Sequence, residues 1–192
     1  MKLIIFVVPI LYFGTLVFGV VLTRHTNIKC EVADKSYAEV KVCRLKVLGR
    51  NKIGASVHLS FNTKILPIRA ISVNLGVYKK LSGYHPFVFN VTVDLCNFIS
   101  HRNRLNVFDY FYGAMEPFMN MNHTCPLNHD FILKDFVLNR NMFSIFPGPP
   151  GSFMFKIQIF TEKIFRGTIY SYFDVNVDDS LPQNNNKHNN KI

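Results

Sequence analysis

Residues 90–130 read NVTVDLCNFISHRNRLNVFDYFYGAMEPFMNMNHTCPLNHD. The change of period inside this stretch decides the fold. It opens as a strand, with Val91, Val93 and Leu95 alternating against Asn90, Thr92 and Asp94. After Cys96 the pattern turns helical, with Phe108, Phe111, Tyr112 and Met115 at i, i+3, i+4 and i+7, one apolar helical face. Pro117 breaks the helix, and Cys125 follows an Asn-His-Thr sequon. A cysteine at each end predicts a covalent clamp, worth about 3–4 kcal/mol in the chain-entropy account for a loop of this length. The helix either covers a filled core or forms a wall over an apolar cavity, and periodicity alone does not separate the two.

Outside this stretch the period is two. Ala55, Val57, Leu59 and Phe61 oppose Ser56, His58, Ser60 and Asn62. Ile71, Val73, Leu75 and Val77 oppose Ser72, Asn74, Gly76 and Tyr78. Phe87 and Phe89 extend the strand that ends at Leu95, and Phe153, Phe155, Ile157 and Ile159 form another. Each pattern is that of a half-buried strand. Further strands are expected from Ile28 to Ala33, Glu39 to Val47, Phe131 to Leu138 and Ile169 to Val177. The imperfect alternation around Cys43 predicts a bulge or burial of both faces. About eight strands with turn signals between them predict an all-β, two-sheet antiparallel sandwich with an inserted short helix. Nineteen Phe and no Trp predict an aromatic core. Phe61, Phe87, Phe89, Phe153 and Phe155 on inward strand phases, with Phe108 and Phe111 from the helix, are the candidate walls of a cavity between the sheets.

The 192 residues divide into three parts. Residues 1–19 read as a signal peptide: Lys2 is the basic n-region, the run from Leu3 to Leu22 is apolar, and Val17 and Gly19 suit cleavage after Gly19. A retained anchor is the competing reading, because the run is long enough to span a bilayer. Residues 20–179 form the sandwich domain. Residues 180–192 are an Asn-rich tail that cannot bury a core and is expected to be disordered. Export predicts a secreted, extracellular protein. Its four cysteines then make two disulfides, and local bracketing favours Cys30 with Cys43 and Cys96 with Cys125. Asn90 and Asn122 head two glycosylation sequons.

The net charge of +10 comes from scattered basic residues, such as Lys41, Arg50, Lys79 and Arg102. No dense basic run with interleaved aromatics marks a nucleic-acid groove, so nucleic acid is not an expected partner. Zinc on Cys125 with His123 and His129 is a poor reading, because the paired C-x-x-C spacing of structural sites is missing. No metal and no cofactor are expected. There is no G-x-S-x-G elbow, Gly-rich phosphate loop or H-E-x-x-H, and His123 and His129 near Asp130 lack a nucleophile, so an enzyme is not expected. Two binding classes remain. One is a carrier or presenter of a lipid or other small apolar molecule, with a membrane receptor as a further partner. The other is a protein-interaction module with a filled core.

Five strings resemble an insect family of secreted domains of unknown function. They are Thr26 to Cys30, Val42 to Lys46, Leu81 to Phe87, Asn90 to Cys96 and Met121 to Pro126. That family looks like a branch of the MD-2-related lipid-recognition (ML) proteins, whose cousins include insect chemosensory proteins proposed to handle apolar cues. The resemblance implies an immunoglobulin-like sandwich that holds lipid between its sheets, with no catalysis and no metal. The sequence departs from the family in the longer loop Phe146 to Phe153, and at Leu127, where the family has an aromatic.

Overall fold

The computed structural model describes residues 20–102, 107–143 and 150–178. Residues 1–19, read above as a signal peptide, the tail 180–192 and residues 146–149 of the loop that begins at Phe146 lie outside the described residues. Eight strands run in chain order: β1 (Val20–Val32), β2 (Ala38–Gly49), β3 (Lys52–Phe61), β4 (Ile71–Lys80), β5 (Tyr84–Asp94), β6 (Phe131–Val137), β7 (Gly151–Thr161) and β8 (Ile164–Asp178). They form two antiparallel sheets, ordered β1-β8-β7-β4-β5 and β2-β3-β6. The chain is thus an all-β sandwich.

The alternation in β3 has the expected result: Ala55, Val57 and Leu59 are buried between the sheets. The irregular phase of β2 comes from a bulge at Lys41, since Val40 pairs with Leu59 and Val42 with His58. Another bulge interrupts β4–β5 between Gly76 and Tyr78. Opposite it, Val88 sits at φ 65°, a left-handed conformation that a β-branched residue rarely adopts.

Two strands start earlier than their apolar patterns. β1 begins at Val20 rather than Ile28, and β8 at Ile164 rather than Ile169. In β1 the run Thr23 to Asn27 is polar, but its backbone pairs with β8 from Val175 to Tyr172. Backbone hydrogen bonding extends the ladder where side-chain pattern gives no signal. Glu162 and Lys163, both at positive φ, make the two-residue hairpin that joins β7 to β8.

The insertion contains two short helices rather than one. Helix α1 (Leu95–Ser100) is capped by Asp94, whose carboxylate accepts from the Asn97 N–H at 2.9 Å. Helix α2 (Val107–Met115) buries Phe108, Phe111 and Tyr112, the face read from the sequence. A single turn, Glu116–Phe118, carries Pro117. Arg102 ties the two helices together: it pairs with the buried carboxylate of Asp109, and with Glu116 at 2.8 Å. Both carboxylates raise the Arg102 pKa, Asp109 the more strongly. Disulfides join Cys30 to Cys43 and Cys96 to Cys125. The first links β1 to β2, the outer strands of the two sheets; the second fastens α1 to the segment before β6. No helix of the described residues is long and apolar enough to cross a membrane.

Candidate functional site: an apolar hollow between the sheets

The core is divided along the strands into a filled half and a hollow half. In the filled half, phenylalanine rings stack in a chain. Phe173 lies 4.6 Å from Phe155, 5.1 Å from Phe143 and 5.7 Å from Phe153 between centroids, and Phe153 lies 5.5 Å from Phe87. These separations are those of favourable aromatic pairs. The void left among them is about 30 Å³, near the room for one water.

The hollow half holds a cavity of about 180 Å³. Its walls are mostly aliphatic. Ile71, Val73 and Leu75 of β4, Ile157 and Ile159 of β7, and Ile169 of β8 form one side. Ala55, Val57 and Leu59 of β3 and Leu133 of β6 form the other. Phe108, Phe111, Tyr112 and Met115 of α2 also border it. The Tyr112 hydroxyl donates to the Met121 carbonyl at 2.6 Å, anchoring the helix to the loop below. Ile68 and Leu127, both buried, exchange two 2.8 Å backbone hydrogen bonds and border the same space. Leu127 therefore shapes the cavity itself.

The seven candidate phenylalanines separate accordingly. Phe61, Phe108, Phe111 and Phe155 line the larger cavity. Phe87 and Phe153, with Phe155 again, line the small void of the filled half. Phe89 lines neither and packs on Phe111 at 5.5 Å. Alternation assigns a residue to a face of the sheet, and this is why all five strand residues looked equivalent. It carries no information on height along the strand, which separates Phe61 from Phe87 and Phe153 and places Phe155 between the two spaces.

Sequence reasoning missed the polar groups of the cavity. His25 of β1 is 1 % exposed and borders the hollow. Its Nε2 lies 3.2 Å from the Phe136 carbonyl and its Nδ1 3.2 Å from the Ser171 hydroxyl. A carbonyl only accepts, so Nε2 carries the proton and Nδ1 accepts from Ser171. Burial lowers the His25 pKa from 6.5 to about 4, with the Phe136 hydrogen bond opposing. The ring is therefore neutral at pH 7. Thr161 and Thr168 are also buried there, and Arg166 stands at the β7–β8 hairpin end. In the sequence His25 stands in the polar run Thr23 to Asn27, and nothing there marks it as buried.

The other sequence-predicted groups lie elsewhere. Asn90 and Asn122 are both exposed. Asn74 Nδ2 donates to Asn90 Oδ1 at 2.7 Å and to Thr92 Oγ1 at 2.9 Å. His123 and His129 face each other, Nε2 to Nε2, at 2.7 Å. Asp130 pairs with His58 at 2.9 Å and accepts from the Phe61 N–H at 3.1 Å. Burial pushes the Asp130 pKa up, but these hydrogen bonds outweigh it and the net shift is downward. Among the described residues, no group of three or more His, Cys, Asp or Glu is placed to hold a metal ion.

A family model described as a protein of unknown function (DUF1091) matches residues 73–155. The match runs from β4 through both helices to the middle of β7, so it includes the clamped insertion and much of the cavity wall. No curated protein matches the chain.

Proposed function

We propose that this protein is an exported, non-catalytic carrier or presenter of a lipid or other small apolar molecule, held between its two sheets. The observation that carries the reading is the hollow half of the core. Proteins pack their interiors to the density of organic crystals. A wholly natural core that leaves about 180 Å³ open forgoes that density. At ~24 cal/mol per Å³, the empty space costs about 4 kcal/mol, a cost that a ligand would offset. An engineered apolar cavity of about 150 Å³ stays dry and accepts benzene. Two disulfides fit an oxidising compartment and the signal-like segment. The resemblance of the five strings to ML-type secreted insect domains supports a lipid rather than a polar cargo.

The filled half belongs to the same design. Its interlocked rings come from β5, β7 and β8 of the larger sheet and are closed by Phe143, while the aliphatic walls contributed by both sheets leave a gap open beside them. Titrating the secreted chain with a fluorescent apolar probe tests the proposal. Saturable binding at one site per chain, displaced by medium-chain lipids, is the expected result. Failure of any apolar probe to bind the delipidated protein would overturn it.

A further inference from the structure

We propose that the occupant of the hollow carries an anionic head, a carboxylate or a phosphate, and that Arg166 anchors it. This deepens the carrier reading and rests on it. Besides Arg166, the titratable side chains bordering the cavity are His25, Glu31, Tyr37 and Tyr112. His25 is neutral and committed to Ser171 and Phe136. Glu31 is salt-bridged to Lys29 at 2.5 Å. Tyr112 donates to Met121. Among the described residues Arg166 is the one cationic side chain on the wall, and its charge is permanent.

The geometry of Arg166 is that of a held but uncommitted fork. Its Nε donates to the buried Thr161 hydroxyl at 2.7 Å. Its guanidinium carbon lies 3.7 Å from the centroid of the buried Tyr37 ring, so the plane rests on an aromatic floor. Among the described residues no carboxylate lies within 4 Å of it, and no hydrogen bond occupies its two Nη groups. The Asp34 carboxylate feels the Arg166 charge. Asp34 is engaged by Ser36 instead, through its N–H at 2.8 Å and its hydroxyl at 2.6 Å. Gly167 lets the end of β1 approach: a Cβ there would collide with the Glu31 carbonyl oxygen. This close approach sets Arg166 beside the cavity wall.

A partly exposed guanidinium, fixed at Nε and by stacking, presents its remaining N–H pairs to an oxyanion in bidentate geometry. The aliphatic cavity beside it takes the tail. Together they select an amphiphile rather than a neutral hydrocarbon or a free anion.

The test uses the delipidated full chain, secreted from cultured cells, with decanoate, decanol and acetate as probes in calorimetric titration. Decanoate is expected to bind at least ~10-fold more tightly than decanol, the scale of a charge-assisted hydrogen-bond pair. Arg166→Met keeps the stem and is expected to remove that margin, so that decanoate and decanol bind the variant equally. Arg166→Lys keeps charge but not the fork, and an intermediate affinity is expected. Equal binding of decanoate and decanol, unaffected by Arg166→Met, would overturn the anchor and leave the cavity reading standing. Saturable acetate binding as tight as decanoate would also overturn it, because the tail would then play no part. If neither decanoate nor decanol binds, the carrier reading itself fails.

Discussion

Ala55→Leu separates a hollow core from a filled one by the sign of its effect. Ala55 lies on β3, is buried, and faces the cavity. Leucine adds three carbon atoms to that wall. At ~0.8 kcal/mol per buried methylene, filling open space with them gains up to about 2 kcal/mol. The whole void represents about 4 kcal/mol by its volume, so the gain is within what the space can return. In a close-packed core the same change would instead force side chains off their rotamers, at ~1–3 kcal/mol. For a chain of this size 1 kcal/mol moves Tm by about 2–4 °C. Thermal unfolding of delipidated protein is therefore expected to show Ala55→Leu melting about 4–8 °C above wild type. Lipid must be removed first, since bound ligand stabilises wild type by mass action and would mask the gain. The same variant is expected to bind an apolar probe more weakly. A lower Tm by the overpacking amount would refute the reasoning, because it would mean that the space beside Ala55 is already occupied.

Burial holds the folded-state pKa of His25 near 4, below its unfolded value of 6.5, so its contribution is complete above pH 6.5. It is lost as pH falls from 6.5 to about 4, by about 3 kcal/mol in all; denaturant titrations across that range should show wild type losing this much relative to His25→Gln, and parallel pH profiles would contradict it. Val88→Asn relieves a β-branched residue from the left-handed region at an exposed bulge and should raise stability by about 1 kcal/mol, read as a shift in denaturant midpoint. Arg102→Gln breaks the clamp on Asp109 and Glu116; with Arg102 partly exposed, the expected loss is ~1–2 kcal/mol, and hydrogen exchange should show α1 and α2 opening before the sheets. Asn90→Gln and Asn122→Gln should each raise the gel mobility of the secreted chain, since both sequons are exposed; unchanged mobility would remove the glycan assignment.

Much of the sandwich was legible because its strands are half-buried. Ala55, Val57 and Leu59 against Ser56, His58 and Ser60 leave one choice of inward face. The face of α2 was legible for the same reason at a different period. The start of β1 was not, because Thr23, Arg24 and Asn27 hold their place through backbone pairing with β8. The cavity was half legible. The expectation of aromatic walls followed from the count of phenylalanines, but rings that stack on one another, as Phe153, Phe155 and Phe173 do, fill space. Open space instead arises where isoleucine, valine and leucine line the gap, with Val57, Leu59 and Ile169 touching across only part of it. That property depends on the distance between sheets and on height along the strands, neither of which alternation encodes. Arg102 and Arg166 looked alike as scattered charges, and only the fold pairs one with two carboxylates and leaves the other at the cavity.

On the proposed function, the hollow half of the core holds an apolar molecule. Native mass spectrometry of the full chain, secreted and purified without detergent, measures this directly. A one-to-one adduct is expected, lost on denaturation and recovered as an amphiphile in the organic extract. A chain that carries nothing when native, and takes up no decanoate after incubation, would contradict it.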